Sequence, residues 1–195
     1  MKGKIIIISA PSGCGKSTII GEIMDRGNVE LQFSVSATNR LPRKGETDGV
    51  NYYFLSTDDF LAKVAANEFV EFEEVYPGRF YGTLKSEIVR TIENGKNVVL
   101  DIDVKGGINV KKLFGDTAVT IFIMPPSVQA LKERLINRGT DSPEVIKQRV
   151  EKAEYEISFA GEYDYTVVND NLEIAVDEVE KIIKDFIVKC DARWL

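Results

Sequence analysis

A run of four isoleucines that leads into a glycine-rich turn constrains the fold more than any other feature of the sequence. Residues 5–8 do not alternate between apolar and polar types, so they predict a β-strand that is buried on both faces. A helical segment begins at about residue 16. The turn between strand and helix reads Ala10-Pro11-Ser12-Gly13-Cys14-Gly15-Lys16-Ser17-Thr18. A buried strand, a glycine-rich turn and a helix form the context of a phosphate-binding loop.

The chemistry of such a loop follows from its backbone. Consecutive N–H groups form an anion nest, and the helix start adds unpaired N–H groups and the positive end of the helix dipole. Lys16 is placed to reach the terminal phosphates of a nucleotide, and the Ser17 hydroxyl is a ligand for Mg²⁺. Ala10 stands where a first glycine is usual, but Gly13 and Gly15 remain. An ordinary glycine-rich turn would not explain Lys-Ser directly after the last glycine.

Composition limits the classes of protein that the chain can represent. Its 195 residues fit one domain with a small inserted lobe. A net charge of −6 argues against nucleic acid as the main partner. Cys14 and Cys190 fit no metal-ligand spacing and favour a reducing cytoplasm, and no apolar run is long enough for a membrane span. Because the chain has no histidine, Ser-His nucleophilic chemistry and His-ligated metal sites are excluded.

Helices separate the predicted buried strands, and this alternation predicts an α/β fold: a P-loop NTPase-like parallel sheet flanked by helices. The core strands are predicted at 4–9, 97–104, 118–124 and 165–168. Between residues 28 and 83 the alternation breaks down, and short strands predict a small inserted α+β lobe. Its strands are predicted at 33–37, 52–55 and 69–75. Helices are predicted at 16–26, 58–67, 83–94, 106–114, 127–137, 143–159 and 172–189.

Two aspartates follow the second buried strand. Asp101 and Asp103 stand at its carboxyl end, where ligands bind in open α/β sheets. Either carboxylate can hold Mg²⁺, directly or through water, or accept a hydrogen bond from a substrate. A solvated strand end remains an alternative. The residues from Asp103 to Gly106 also match the short D-x-x-G motif of GTPases, but the chain has no N-K-x-D motif, so a GTPase is disfavoured.

The inserted lobe concentrates residues that suit a nucleoside monophosphate. Arginine forks and tyrosine hydroxyls suit a phosphate monoester, and carboxylate or hydroxyl acceptors suit the N–H donors of guanine. The candidates are Ser36, Arg40, Arg43, Glu46, Tyr52, Glu71, Tyr81 and Thr83. Two plain alternatives stay open: residues 40–46 as a solvated charged loop, and Glu71 as part of a polar strand face.

Three further arginines, Arg134, Arg138 and Arg149, form a last candidate group. The first two are four residues apart and share one face of a helix that extends that far. Their loop can fold over phosphates and neutralise the charge of a transition state, as arginine fingers do. Solvated helix arginines are the alternative.

Together these motifs resemble the guanylate kinase family. The matching stretches are residues 9–18 (SAPSGCGKST), 36–46 (SATNRLPRKGE), 80–83 (FYGT), 100–106 (LDIDVKG) and 134–139 (RLINRG). They occur in the order of the family and span most of the chain. Asn39 stands where the family usually has threonine, and Phe80 replaces a common tyrosine. These departures put individual hydrogen bonds in question.

The resemblance implies a Mg²⁺-dependent conversion of ATP and GMP to ADP and GDP. It implies a core (1–32, 84–125 and 160–195), a GMP-binding lobe (about 33–83) and a helical lid (about 126–159). Residues 10–18 would bind ATP, with Asn169 near the adenine, and Ser17 would hold Mg²⁺ with Asp101 or Asp103. The GMP phosphate would contact Arg40, Arg43, Tyr52 and Tyr81, and Glu46 would also belong to the GMP-binding site. The guanine would contact Ser36, Glu71, Thr83 and Asp103, with Asp101 nearby. The catalytic residues would be Lys16, Arg43, Arg134, Arg138 and Arg149.

Two other functions remain possible on the same fold. One is a kinase of another small phosphorylated substrate, such as a ribose bisphosphate. The other is a non-catalytic interaction module that resembles guanylate kinase and binds peptides. The intact Gly15-Lys16-Ser17 sequence argues against the module. Oligomeric state is not predicted.

Overall fold

The structure of the chain, a computed structural model, describes residues 2–139 and 141–192, without the side chains of residues 138 and 190–192. The strands of the described part are β1 (Ile5–Ser9), β2 (Leu31–Phe33), β3 (Ala37–Thr38), β4 (Tyr53–Phe54), β5 (Phe69–Tyr76), β6 (Arg79–Leu84), β7 (Asn97–Asp101), β8 (Ala118–Met124) and β9 (Tyr165–Val168). The helices are α1 (Lys16–Arg26), α2 (Thr57–Ala65), α3 (Lys85–Glu93), α4 (Val104–Phe114), α5 (Val128–Arg138), α6 (Pro143–Ile157) and α7 (Leu172–Ala192). Within these ranges, none of the helices combines the length and the apolar character that a membrane crossing requires.

The larger sheet has five strands in the order β2-β7-β1-β8-β9. Strands β8 and β9 pair in parallel, with Ile121 opposite Tyr165 and Met124 opposite Val168. All five residues of β1 are buried, as expected of a strand covered on both faces. The predicted parallel sheet flanked by helices is therefore confirmed.

The smaller sheet has four strands in the order β4-β3-β6-β5. Strand β3 pairs in parallel with β4 and antiparallel with β6, and β5 pairs antiparallel with β6. Helix α2 places Phe60 in the apolar cluster of this sheet, where its ring stacks on Phe69 at 4.5 Å and on Phe80 at 5.5 Å between centroids. The segment expected to form a small α+β lobe does contain such a layer.

Side-chain caps begin α2, α4, α5 and α6. Ser56, Ser127 and Ser142 accept hydrogen bonds from the backbone N–H groups three residues later. Asp103 does the same for α4 and accepts from Gly106 N–H at 2.8 Å.

Three predicted elements are wrong. The strand expected at 33–37 is divided into β2 and β3, which belong to different sheets. The helix expected to begin at Thr83 begins at Lys85, because residues 79–84 form β6. The strand expected to end at Val104 ends at Asp101, since Asp103 caps a helix that already starts at Val104.

The chain separates into two compact units. The first unit consists of Met1–Ile5 and Gln32–Val99, and the second consists of Ile6–Leu31 and Leu100–Leu195. The expected lobe at 33–83 lies within the first unit, together with α3. The expected lid at 126–159 lies within the second. The finer division into core, lobe and lid stays a prediction.

Candidate functional site

The phosphate loop in the second unit has the backbone that anion binding requires. Gly13 and Gly15 have φ angles of +94° and +83°, a conformation that residues with a Cβ atom avoid. Gly15 is the residue before α1, and Ile19 N–H donates to its carbonyl at 3.0 Å. Within the described residues no side chain caps α1, and its first turn carries no acidic residue. The N–H groups and the positive dipole end therefore suit a phosphate.

Lys16, Ser17 and Asp101 converge beside the loop. The Lys16 ammonium forms an ion pair with Asp101 Oδ1, and the Ser17 hydroxyl donates to Asp101 Oδ2 at 3.3 Å. The sequence predicted that the loop and the end of β7 would meet, and they do. A serine hydroxyl next to a carboxylate offers the oxygen ligands that Mg²⁺ prefers.

Asn169 lies deep in the second unit rather than at its surface. Its side-chain Nδ2 donates to the Cys14 carbonyl at 2.8 Å, and its own carbonyl accepts from Arg134 Nη2 at 2.9 Å. The arrangement brings Asn169, Arg134 and the phosphate loop together. Burial raises the pKa of the Cys14 thiol to about 12, so the cysteine in the loop is a packed, protonated side chain.

Arg149 and Arg138 are the other two candidate arginines of this unit. Arg149 on α6 forms an ion pair with Asp141 at 3.3 Å between Nη1 and Oδ2. The side chain of Arg138 lies outside the described part of the structure. The pairing of Asp141 with Arg149 was not predicted, because its eight-residue spacing crosses a loop and follows no helical period.

Asp103 has a structural contact of its own as the cap of α4. Two buried hydroxyls support the same segment: Ser9 Oγ donates to the Ile102 carbonyl at 2.8 Å, and the Tyr163 hydroxyl donates to the Val104 carbonyl at 3.1 Å. Burial raises the pKa of Tyr163 to about 12, which keeps it a donor. Sequence reasoning assigned no role to Ser9, the first residue of the phosphate-loop stretch, or to Tyr163, which belongs to no motif.

In the first unit, Arg40 and Glu46 form the centre of a polar and aromatic cluster. Arg40 Nη1 and Nη2 donate to the two Glu46 oxygens at 2.7 and 2.8 Å, and Arg43 N–H donates to Glu46 Oε2 at 2.6 Å. The Arg40 guanidinium lies 5.3 Å from the centroid of the Tyr52 ring, which is 5.9 Å from that of Tyr81. Arg40, followed by the Arg43 N–H, lowers the pKa of Glu46 to about 2, and Glu46 raises the pKa of Arg40.

Strand register explains the positions of the other lobe candidates. Glu71 lies directly opposite Thr83, and Tyr81 is two residues from Thr83 on the same strand. Because side chains alternate along a strand, these three residues share one face of the smaller sheet. Phe80 and Leu84 point to the other face, towards Phe60. Ser36 lies just before β3, and its carbonyl accepts from Tyr53 N–H at 2.9 Å.

Asn39 has a role that sequence reasoning did not predict. Its Nδ2 donates to Thr57 Oγ1 at 2.9 Å and to the Gly78 carbonyl at 2.8 Å, and its Oδ1 accepts from Phe80 N–H at 2.8 Å. It therefore ties the turn between β5 and β6 to the start of α2. The only visible sign was its departure from the threonine usual at this position.

The predicted site residues thus fall into two groups. The lobe candidates from Ser36 to Thr83 all lie in the first unit. The phosphate loop, the two aspartates, the three arginines and Asn169 all lie in the second.

Comparisons with known proteins agree with one another. A family model described as guanylate kinase matches residues 2–186. The chain is similar to guanylate kinase of Bacteroides thetaiotaomicron, with 52% identity over 189 residues that cover 97% of this chain and 92% of that protein. The guanylate kinase of Porphyromonas gingivalis is 53% identical over 186 residues, 95% of this chain and 99% of that protein. The crystal structure of guanylate kinase from Anaplasma phagocytophilum is similar with a TM-score of 0.67 and 32% identity, over 94% of this chain and 86% of that one.

Proposed function

The chain belongs to the guanylate kinase family, and we infer that it is an ATP:GMP phosphotransferase that forms ADP and GDP. The observation that carries this function is the intact phosphate loop, where Lys16 and Ser17 meet Asp101 beside an uncapped helix start. This loop argues against a non-catalytic module. The family assignment argues against a ribose bisphosphate kinase.

We assign the triphosphate of ATP to residues 10–18 of the second unit. The backbone of the loop would bind the phosphates, and Lys16 would exchange its contact with Asp101 for the terminal phosphates. Arg134, Arg138 and Arg149 would neutralise the charge that develops on the transferred group. The support is the hydrogen bond that ties Arg134 to Asn169, which itself contacts the loop.

We assign GMP to the first unit. Its phosphate would meet Arg40, Arg43, Tyr52 and Tyr81, and the guanine would meet Ser36, Glu71 and Thr83. The cluster around Arg40 and the shared face of Glu71, Thr83 and Tyr81 support this assignment. Carboxylate and hydroxyl acceptors match the N1–H and N2 amino donors that distinguish guanine from adenine.

The residues beside the loop fit a Mg²⁺ ion. The Ser17 hydroxyl and the Asp101 carboxylate, already within hydrogen-bonding distance of each other, are the side chains that would hold it. When bound with ATP, the ion neutralises phosphate charge. The acceptor oxygen of GMP is already ionised, so no residue has to remove a proton. Catalysis by this chain is then positioning plus charge neutralisation.

A coupled assay of ADP release tests the reaction. GMP, AMP, dGMP, CMP and UMP are offered as acceptors with ATP and Mg²⁺, and we expect turnover with GMP to exceed that with AMP, CMP and UMP. Equal turnover across the panel, or no turnover with GMP, would show that the assigned acceptor is wrong.

Two variants test the division of residues between the nucleotides. Lys16→Ala should abolish turnover and leave GMP binding by calorimetry close to that of the wild type. Glu71→Gln should weaken GMP binding far more than ATP binding, because it removes an anionic acceptor for guanine. Glu93→Gln, at the exposed end of α3 in the same unit, is the charge-matched control. Retained turnover in the lysine variant, or equal loss of both ligands in the Glu71 variant, would contradict the assignment.

A further inference from the structure

Asn169, between β9 and α7, is joined to three parts of the second unit at once. It follows β9 directly, and its backbone N–H donates at 2.8 Å to the carbonyl of Met124, the last paired residue of β8. The residue is 6% exposed. The sheet therefore fixes the position of its backbone, and its side chain extends from that position within the protein interior.

The side chain of Asn169 contacts the phosphate loop at two consecutive residues. Its Nδ2 donates to the Cys14 carbonyl at 2.8 Å, and a Cβ atom at Gly15 would lie only 2.6 Å from the same nitrogen. In a trans peptide the C=O and N–H groups point in opposite directions. Because the Cys14 carbonyl points to Asn169, the Gly15 N–H of the same peptide is directed away from it, as one member of an anion nest.

The carbonyl of Asn169 holds the arginine assigned to the transferred phosphoryl group. Arg134 Nη2 donates to it at 2.9 Å, from helix α5. The loop peptide and the guanidinium are therefore both positioned relative to one buried residue. The two contacts use different atoms, since one comes from the side chain and the other from the main chain. A side-chain substitution consequently removes the loop contact without removing the group that Arg134 binds.

We propose that Asn169 is a positioning residue that orients the Cys14–Gly15 peptide for phosphate binding. This inference rests on the proposed use of ATP. The hydrogen bond from Nδ2 to the Cys14 carbonyl and the near-complete burial of the residue support it. Loss of that bond would leave the Cys14 carbonyl without its donor and the peptide free to turn away from the phosphates.

The test compares a ligand that has an adenine with one that has only phosphates. Calorimetry measures the binding of ADP and of inorganic tripolyphosphate, each with Mg²⁺, and competition confirms that the two share one site. Asn169→Ala should weaken both ligands by a similar factor, on the order of tenfold for a lost buried hydrogen bond. Asn169→Asp should weaken both further, because a carboxylate would face the Cys14 carbonyl and the phosphates.

A neighbouring asparagine provides the matched control. Asn171 is exposed, and its Oδ1 accepts from Ile174 N–H at 3.1 Å at the start of α7. Asn171→Ala removes a helix cap and should leave the affinity for both ligands unchanged.

Asn169→Asp retains the volume of the side chain, so it tests the hydrogen bond even if the alanine variant does not fold.

Two results would overturn the proposal. If Asn169→Ala weakens ADP and leaves tripolyphosphate unchanged, the side chain contacts the adenine. If neither ligand is affected by either substitution, the loop does not depend on the hydrogen bond. Failure of the proposed function is distinguishable from both, because the wild-type protein would then bind ADP but not phosphorylate GMP, or would bind neither ligand.

Discussion

Gly107, in the second turn of α4, has no room for a side chain, and replacing it tests the packing that holds this helix beside Asp103. A Cβ atom there would lie 2.4 Å from the Tyr163 hydroxyl, 3.1 Å from Ser9 Oγ and 3.2 Å from Ile7 Cγ2. Tyr163 is 8% exposed and packs edge-on against Phe122, at 5.4 Å between ring centroids. Its hydroxyl therefore has little freedom to move away from the new atom.

The magnitude follows from two opposing effects. Overpacking a buried site costs about 1–3 kcal/mol of the free energy of unfolding. Alanine favours a helix over glycine by roughly 1 kcal/mol. We therefore expect Gly107→Ala to destabilise the protein by up to about 2 kcal/mol. Tyr163→Phe removes the clashing oxygen but also its hydrogen bond to the Val104 carbonyl, at a cost of about 1 kcal/mol.

The double variant separates this explanation from a general loss of helix stability. Every other atom of Tyr163 is at least as far from the added Cβ as Ser9 Oγ and Ile7 Cγ2, so the substitution should be less destabilising once the hydroxyl is gone. Urea unfolding of the wild type, both single variants and the double variant gives the coupling energy. If the two effects add to within about 0.5 kcal/mol, the reasoning from the hydroxyl contact is refuted.

Two further predictions concern groups with shifted pKa values. Asp164 is partly buried, which raises its pKa, but Lys111 and the Thr120 N–H and hydroxyl outweigh this and hold the pKa below its ordinary value. The contribution of the ionised Asp164 carboxylate to stability is therefore present above about pH 4 and is lost as the pH falls. The difference in unfolding midpoint between the wild type and Asp164→Asn should shrink below about pH 4. A difference that stays constant with pH would contradict this prediction. Burial raises the pKa of the Cys14 thiol to about 12. In a Cys190→Ser variant, iodoacetamide at pH 8 should therefore label the folded protein roughly a thousandfold more slowly than the unfolded protein. Similar rates would show that the thiol is accessible and ionised.

Local chemistry explains what could be predicted from the sequence. The phosphate loop depends on neighbours in the chain: a strand that does not alternate, two glycines, and Lys-Ser at the start of α1. The helix caps likewise involve residues three apart. Strands β8 and β9 have the predicted bounds, because continuous apolar runs end at clear turn residues. Each of these features is decided within a few residues, so a single sequence contains enough information.

Strand β6 was missed because its pattern is interrupted where the sheet needs a glycine. A Cβ atom at Gly82 would lie 2.7 Å from the Glu71 carbonyl and 2.8 Å from Phe72 Cβ. The glycine that allows β5 to approach is thus the residue that hides the strand from pattern analysis. The contact between Asn169 and Cys14 was hidden for another reason, since 155 residues separate the partners.

The Arg40–Glu46 pair shows what residue types alone leave undecided. Both residues were predicted to bind GMP, Arg40 through its phosphate, yet the structure pairs their side chains through two short hydrogen bonds. A bidentate pair has no net charge, so it offers a phosphate little attraction as a unit. Among the described contacts, Arg43 donates to Glu46 through its backbone N–H and not through its guanidinium. Arg43 is also exposed. We therefore expect Arg43 to provide more of the positive charge for the phosphate than Arg40, whose pair with Glu46 also holds the loop and the Tyr52 ring in place. The sequence identifies the ionisable groups of a site, but which of them are already neutralised depends on contacts that only the folded chain provides.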